Sequence, residues 1–139
     1  MNILLIINDA PYGSEKAYNA LRLALTLTKE HESASVRIFL MADAVTCALT
    51  GQKTPDGFYN IERMLKGLCS KGVMVKACGT CVDARGLRQL ALIDGVDRGR
   101  QGSDVLSALS SVVSLQCGVT DVRKCCVLTV NCQLSTANW

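Results

Sequence analysis

The chain has 139 residues, which suffices for one domain with a buried core, and 49% hydrophobic with 19% charged residues suits a globular protein. Only 4% of the residues are aromatic, and the formal charge of +3 comes from scattered Lys and Arg rather than from a cluster. An aromatic platform for single-stranded nucleic acid and a polybasic patch are both excluded, so we expect no direct nucleic-acid partner.

The N-terminal run MNILLIIND lacks a basic region and is too short for a signal peptide or a membrane span. No later stretch approaches the roughly 18 apolar residues of a spanning helix. We therefore expect a cytoplasmic protein without a membrane partner. In that reducing compartment the eight cysteines are expected as thiols rather than as a disulfide framework.

The first predicted element is a strand, because Ile3 to Ile7 is a continuous apolar run typical of a strand buried on both faces. A polar turn, Asn8–Gly13, follows it. Ser14 is predicted as the N-cap of a helix that runs to about His31, because apolar residues recur at helical spacing behind it.

The same order then repeats. Val36–Met41 predicts a second buried strand, and a polar loop ending at 51–57 leads to Asn60 as the cap of a second helix. That helix is predicted to end at Lys71-Gly72, and Val73–Val75 predicts a third strand directly before Cys78-Gly79-Thr80-Cys81.

Later elements are predicted from weaker patterns. Leu87–Ile93 is interpreted as a short helix, residues 103–115 as another, and Cys126–Val130 as a final strand. Strands alternating with helices predict an α/β fold, with a single-domain, mostly parallel sheet of about five strands and helices on both faces.

Chemistry in such sheets collects beyond the carboxyl ends of the strands. Three loops are predicted to meet there: Asn8–Gly13, Asp43–Gly57 and Cys78–Gly86. A cysteine near helix N–H groups and cations has a lowered pKa, and Lys76, Arg85 and Arg88 lie close to Cys78, with a helix or turn expected to begin near Asp83. This setting suits a reactive thiolate or a bound persulfide.

Four interpretations of the C-x-x-C remain open. The two cysteines could pack as small hydrophobic residues, or bind zinc, which needs about four ligands and finds only one histidine, His31, in the chain. Dithiol–disulfide exchange and sulfur transfer through a cysteine persulfide fit the position equally well.

Other residues point to structure rather than to chemistry. The loop at 8–14 lacks the glycine pattern of a phosphate cradle, and Asp43 and Asp83 are expected to be solvated carboxylates rather than bases. Cys47 and Cys69 are predicted to lie in the core. No cofactor and no metal site are predicted.

Three ordered segments carry a family resemblance: NILLIINDAPYGSEKAYNALRLA, TGQKTPDGFYNIERML and above all VKACGTCVDARGL. Over roughly residues 1–96 the chain resembles the DsrE/DsrF-like family, most closely its small YchN-type members. The resemblance implies a parallel α/β sandwich that assembles into homotrimers or homohexamers and serves intracellular sulfur relay between a sulfur donor and a sulfur acceptor protein.

The resemblance also implies roles for residues. Cys78 corresponds to the persulfide cysteine after the third strand, and Cys81 to a second cysteine that much of the family lacks, here an auxiliary or resolving thiol. We expect Lys76 and Arg85 to supply electrostatic support, and Asn8, Asp9, Tyr12 and Asp43 to shape the pocket. The predicted function is sulfur relay, with possible sulfurtransferase activity; the alternatives are a non-catalytic oligomeric binding module or a thiol–disulfide redox protein.

Residues 1–139 are interpreted as one such domain, in which residues 97–139 form an atypical C-terminal segment. Residues 101–139 hold four charged residues and four cysteines. One hypothesis is a shifted reading frame that begins near Arg98–Gly102. The other is a divergent ending that still supplies the last helix and the last strand.

Overall fold

A computed structural model describes residues 2–31, 33–55, 59–99 and 125–130. The protein is built on a five-stranded parallel sheet with the strand order β4-β3-β2-β1-β5. The strands are β1 (Asn2–Ile7), β2 (Ser35–Leu40), β3 (Met74–Cys78), β4 (Val96–Gly99) and β5 (Cys125–Val130). The helices are α1 (Lys16–Glu30), α2 (Ile61–Ser70) and α3 (Gly79–Ala84), with a 3₁₀ helix over Ala42–Ala48.

The core follows the register of the sheet. Leu5 pairs with Ile38, Ile38 with Val75, and Val75 with Val96, and all four side chains are buried. These residues are β-branched or leucine, which pack well on a pleated surface. The predicted α/β class and the parallel sheet are confirmed.

Helices α1 and α2 contact each other as well as the sheet. The order β1-β2-β3 advances in one direction, so right-handed crossovers place both helices on the same face. The cap predicted for the second helix is confirmed, because the Asn60 side chain accepts a hydrogen bond from Arg63 N–H at 2.9 Å. The predicted helix at 103–115 lies outside the described residues.

The start of α1 differs from the prediction. Glu15, not Ser14, is the N-cap, and no side chain caps the helix. The Ser14 hydroxyl instead lies 3.5 Å from the Asp9 carboxylate, which draws it back toward the preceding turn.

The chain after the third strand also differs. The strand extends to Cys78, and α3 begins at Gly79 rather than near Asp83. Leu87–Ile93 is not helical, because its backbone groups bond to a different segment: Thr50 N–H donates to Ala91 O, and Ile93 N–H donates to Ala48 O at 2.8 Å. The strand β4 was not predicted.

The final strand is confirmed: β5 pairs in parallel with the whole length of β1, from Asn2 with Cys125 to Ile7 with Val130. A divergent ending that supplies the last strand agrees with this pairing. Within the described ranges, α1, α2 and α3 are all too short or too polar to cross a membrane.

Candidate functional site

Cys78 ends β3 and is at the same time the N-cap of α3. Its extended backbone, with φ −61° and ψ 113°, carries the strand directly into the helix without a connecting loop. The residue is only 7% exposed. The sulfur therefore sits at the carboxyl edge of the sheet, where the first backbone N–H groups of a helix have no partner within the helix.

Gly79 makes this tight junction possible. A Cβ on Gly79 would lie 2.8 Å from the carbonyl oxygen of Gly99, the β4 residue paired with Cys78. Any larger side chain would push the first turn of α3 away from β4. The glycine in the C-G-x-C sequence thus fixes where the first cysteine points.

Burial raises the pKa of the Cys78 thiol above its ordinary value of 9.0. The N–H groups of Cys81 and Thr80 act in the opposite direction, while a hydrogen bond with the Cys81 thiol raises the pKa further. At neutral pH the unmodified Cys78 is consequently a thiol rather than a thiolate. The first N–H groups of α3 nevertheless face this edge of the sheet without partners in the helix.

Cys81 is half-buried and receives a hydrogen bond from outside its own helix. The Ala42 N–H lies 3.3 Å from the Cys81 Sγ. Ala42 adopts a left-handed backbone with φ 46°, which is costly for a residue with a Cβ. The turn that opens the 3₁₀ helix therefore holds a strained donor against the second sulfur.

Arg85 and Asp43 tie the same two segments together. Arg85 Nε and Nη2 lie 2.9 Å and 2.8 Å from Asp43 Oδ1, and Arg85 Nη1 donates to Cys81 O at 3.2 Å. The Asp43 side chain is 68% exposed, so the ion pair contributes little to stability on its own. The ion pair instead fixes the position of α3 relative to the 3₁₀ helix.

Lys76 lies two residues before Cys78 on β3, beside Phe39 of β2 and Asp97 of β4. By strand alternation Lys76 and Cys78 leave β3 toward the same face. The electrostatic roles expected of Lys76 and Arg85 at Cys78 stay predictions.

The first of the three predicted loops, Asn8–Gly13, contacts the second, Asp43–Gly57. Asn8 O accepts from Ala44 N–H at 3.2 Å, and the buried Cys47 thiol lies 3.8 Å from Asp9 O. The Asp9 carboxylate pairs with Lys16 Nζ at 3.1 Å. The three loops predicted to meet do so: the first contacts the second here, and the second contacts the third through Asp43.

Sequence reasoning missed Gln52, which organises the second loop. Its side-chain amide donates to the carbonyls of Cys47 and Leu49 and accepts from the Tyr12 hydroxyl at 2.7 Å. Its backbone N–H donates to Glu62 at 2.7 Å, and its carbonyl accepts from the Asn60 side chain. A glutamine in a polar loop carries no sequence signal for such a role, whereas the C-G-x-C glycine could have indicated the close approach at Gly79.

The two other cysteines that were predicted to lie in the core differ in how deeply they are buried. Cys47 is buried, and desolvation raises the pKa of its thiol to about 12. Cys69 is half-buried and packs against the core. In the portion of the chain that the structure describes, no three His, Cys, Asp or Glu side chains are grouped so that they could hold a metal ion.

A separate groove of about 390 Å³ runs between α1 and α2. Tyr18 and Tyr59 pack in it with ring centroids 4.4 Å apart and ring planes tilted by 45°, and the Arg22 guanidinium lies 5.7 Å from the Tyr18 centroid. No described cysteine lines this groove. It is a helix-surface feature distinct from the thiol pair.

Comparison with known proteins finds a protein family that matches most of the chain. A model described as the DsrE/DsrF-like family matches residues 1–116. Protein YchN of Escherichia coli is 50% identical over 97 residues, which make up 70% of this chain and 82% of that protein. An uncharacterized protein of Methanopyrus kandleri is 45% identical over 95 residues, or 68% of this chain and 76% of that protein.

Two solved structures are similar to this chain. The crystal structure of the Escherichia coli ychN protein matches with a TM-score of 0.75 and 41% identity, and covers 93% of this chain and 98% of that one. A protein of unknown function from Methanobacterium thermoautotrophicum shares the fold, with a TM-score of 0.63 at 16% identity over 92% of this chain and 96% of that one.

Proposed function

This chain belongs to the DsrE/DsrF-like family, and from that membership we propose that it relays sulfur, with Cys78 carrying sulfane sulfur as a persulfide. The observation that carries the proposal is the placement of the buried Cys78 at the N-cap of α3, where the first backbone N–H groups of the helix have no partner within the helix. Donor and acceptor are proposed to be proteins that present a persulfide or a thiol. The chain is proposed to act in the cytoplasm as a homotrimer or homohexamer.

The site distinguishes the empty carrier from the loaded one. Burial favours the protonated Cys78 thiol, so the empty carrier is a weak nucleophile toward unrelated disulfides. A persulfide is a stronger acid than its parent thiol and is an anion at neutral pH. The N–H groups at the start of α3 would stabilise that anion, which favours the loaded state.

Loading needs no change in overall oxidation state. The Cys78 thiol gives its proton to solvent, and the resulting thiolate attacks the outer sulfur of a donor persulfide. The S–S bond of the donor breaks, the donor leaves as a thiolate, and a new S–S bond forms on Cys78. Delivery is the same exchange with an acceptor thiolate attacking the outer sulfur.

Intact-protein mass spectrometry after incubation with polysulfide or thiosulfate tests the proposal. We expect wild type to gain the mass of one sulfur atom per subunit and Cys78→Ser to gain none. Cys69→Ser is the matched control, because this half-buried cysteine packs against Gly95 rather than at the sheet edge. It should load like wild type.

The other outcomes are equally informative. Full loading of Cys78→Ser would refute the assignment of the carrier. Loss of two protons in wild type, with no sulfur added to a Cys81→Ser variant either, would favour thiol–disulfide redox chemistry, which the placement of Cys78 and Cys81 in one helical turn also permits. No change in mass would favour a binding module in which the cysteines are incidental.

A further inference from the structure

The two sulfurs of the pair are placed in a reciprocal arrangement at the start of α3. Cys78 is the N-cap and Cys81 the third residue of the helix, the two positions whose groups face each other in a helix capping box. Cys81 therefore lies in the same helical turn as Cys78, whose Sγ becomes the inner sulfur when Cys78 is loaded.

Cys81 also accepts a hydrogen bond from a backbone N–H group outside α3. The Ala42 N–H donates to Cys81 Sγ at 3.3 Å, and it does so from a strained left-handed backbone at φ 46°. Strain of this kind persists only where the surroundings impose it. This backbone donor fixes the position of the Cys81 sulfur relative to the start of α3.

The Asp43–Arg85 pair lies beside the strained residue. Asp43 follows Ala42 in the chain, and Arg85 binds both its carboxylate, at 2.8 Å and 2.9 Å, and the carbonyl of Cys81, at 3.2 Å. A closed loop of contacts thus runs from Ala42 N–H to Cys81 Sγ, through the Cys81 backbone to Arg85, and back through Asp43. Opening this loop at Asp43 frees the donor to move away from the sulfur.

We propose that the pair has a second activity: Cys81 attacks the inner sulfur of a Cys78 persulfide and releases hydrosulfide, with Asp43 and Arg85 as positioning residues for the attack. The inference rests on the proposed loading of Cys78. It makes the protein a source of free hydrosulfide when no acceptor protein takes the sulfur.

The step balances. The Cys81 thiolate forms a bond to Cys78 Sγ, the S–S bond of the persulfide breaks, and its outer sulfur leaves as hydrosulfide. The outer sulfur gains two electrons, and the two cysteine sulfurs supply them by forming the Cys78–Cys81 disulfide. A low-molecular-weight thiol or a dithiol protein then reduces the disulfide and resets the site.

A single-turnover experiment tests the proposal on the full chain. Protein is loaded with polysulfide, freed of excess reagent by gel filtration and incubated without any added thiol. Released hydrosulfide is trapped with monobromobimane, and the protein mass is recorded in parallel. We expect one hydrosulfide per loaded wild-type subunit, together with a product two protons lighter than the reduced protein.

Cys81→Ser should load and keep its persulfide. For Asp43→Asn we expect release, normalised to the loaded fraction, to slow by about threefold to tenfold, the effect of one hydrogen-bonded support. Asp83→Asn is the matched control, because this carboxylate of α3 pairs with Arg88, at 3.3 Å, rather than with Arg85. It should release hydrosulfide at the wild-type rate.

The failures are distinguishable. If neither wild type nor Cys81→Ser takes up sulfur, the proposed function and the inference are overturned together. A wild type that loads but releases no hydrosulfide, or a Cys81→Ser variant that releases it at the wild-type rate, overturns the inference alone. Equal slowing in the Asp43 and Asp83 variants would overturn the positioning role.

Discussion

The contact between Gly79 and β4 gives a sharp prediction about stability. In Gly79→Ala the added methyl carbon would stand 2.8 Å from the Gly99 carbonyl oxygen, well inside van der Waals contact. The neighbour is backbone within a strand, so it cannot rotate aside as a side chain would. Overpacking of this kind typically costs about 1–3 kcal/mol, and we expect the free energy of unfolding to fall by that amount.

Gly67→Ala is the matched control. Gly67 lies in the middle of α2, and a Cβ there would have no atom within 4 Å. Alanine should raise the free energy of unfolding by about 0.5–1 kcal/mol, because glycine loses more backbone freedom on folding. The same chemical change is thus expected to have opposite signs at the two positions.

Urea unfolding followed by circular dichroism, at one fixed protein concentration, measures both effects. The m-values should match wild type, because neither change alters the surface exposed on unfolding. If Gly79→Ala proved as stable as wild type, the close approach of α3 to β4 would not constrain the site. The account of how Cys78 is aimed would then be wrong.

Three further predictions concern the supports of the site. Gln52→Ala should lower the free energy of unfolding by about 1–3 kcal/mol in urea melts, since several loop groups lose their partner, whereas the exposed Lys53→Ala should leave it unchanged. Asn60→Ala should cost about 1 kcal/mol through loss of the helix cap, and Ser14→Ala clearly less because Ser14 caps no helix. Because burial raises the pKa of Cys47 from 9.0 to about 12, the unfolded chain gives up this proton first, and stability should fall between pH 9 and 12 by about 1.4 kcal/mol per unit. Cys47→Ala should remove that contribution from the measured slope; an unchanged slope would contradict the burial of this thiol.

Much of the fold could be predicted because its signals are local. The apolar runs of the first two strands, the Asn60 cap and the position of the cysteine pair at a carboxyl edge all follow from neighbouring residues. The strand β4 could not be predicted in this way. Its sequence, VDRG, is short and half charged, and only its pairing with β3 makes it a strand.

Other features depend on contacts between distant segments. Leu87–Ile93 has helical spacing, yet hydrogen bonds to the end of the 3₁₀ helix draw it out of a helix. The left-handed backbone of Ala42 could not be predicted from the sequence, because alanine is not a residue type associated with a positive φ. The sequence indicated the two sulfurs, whereas the donor that faces the second of them required the three-dimensional contacts.

The place of β1 in the sheet has a consequence for how the protein is made. Strand β1 is an interior strand, and one of its two neighbours, β5 (Cys125–Val130), is synthesised only after β2, β3 and β4. Until then β1 exposes a row of unpaired backbone groups beside the apolar side chains of Ile3–Ile7. Such an edge is a template for another chain. Nascent or truncated chains that end before residue 125 should therefore depend on chaperones and aggregate through their first strand.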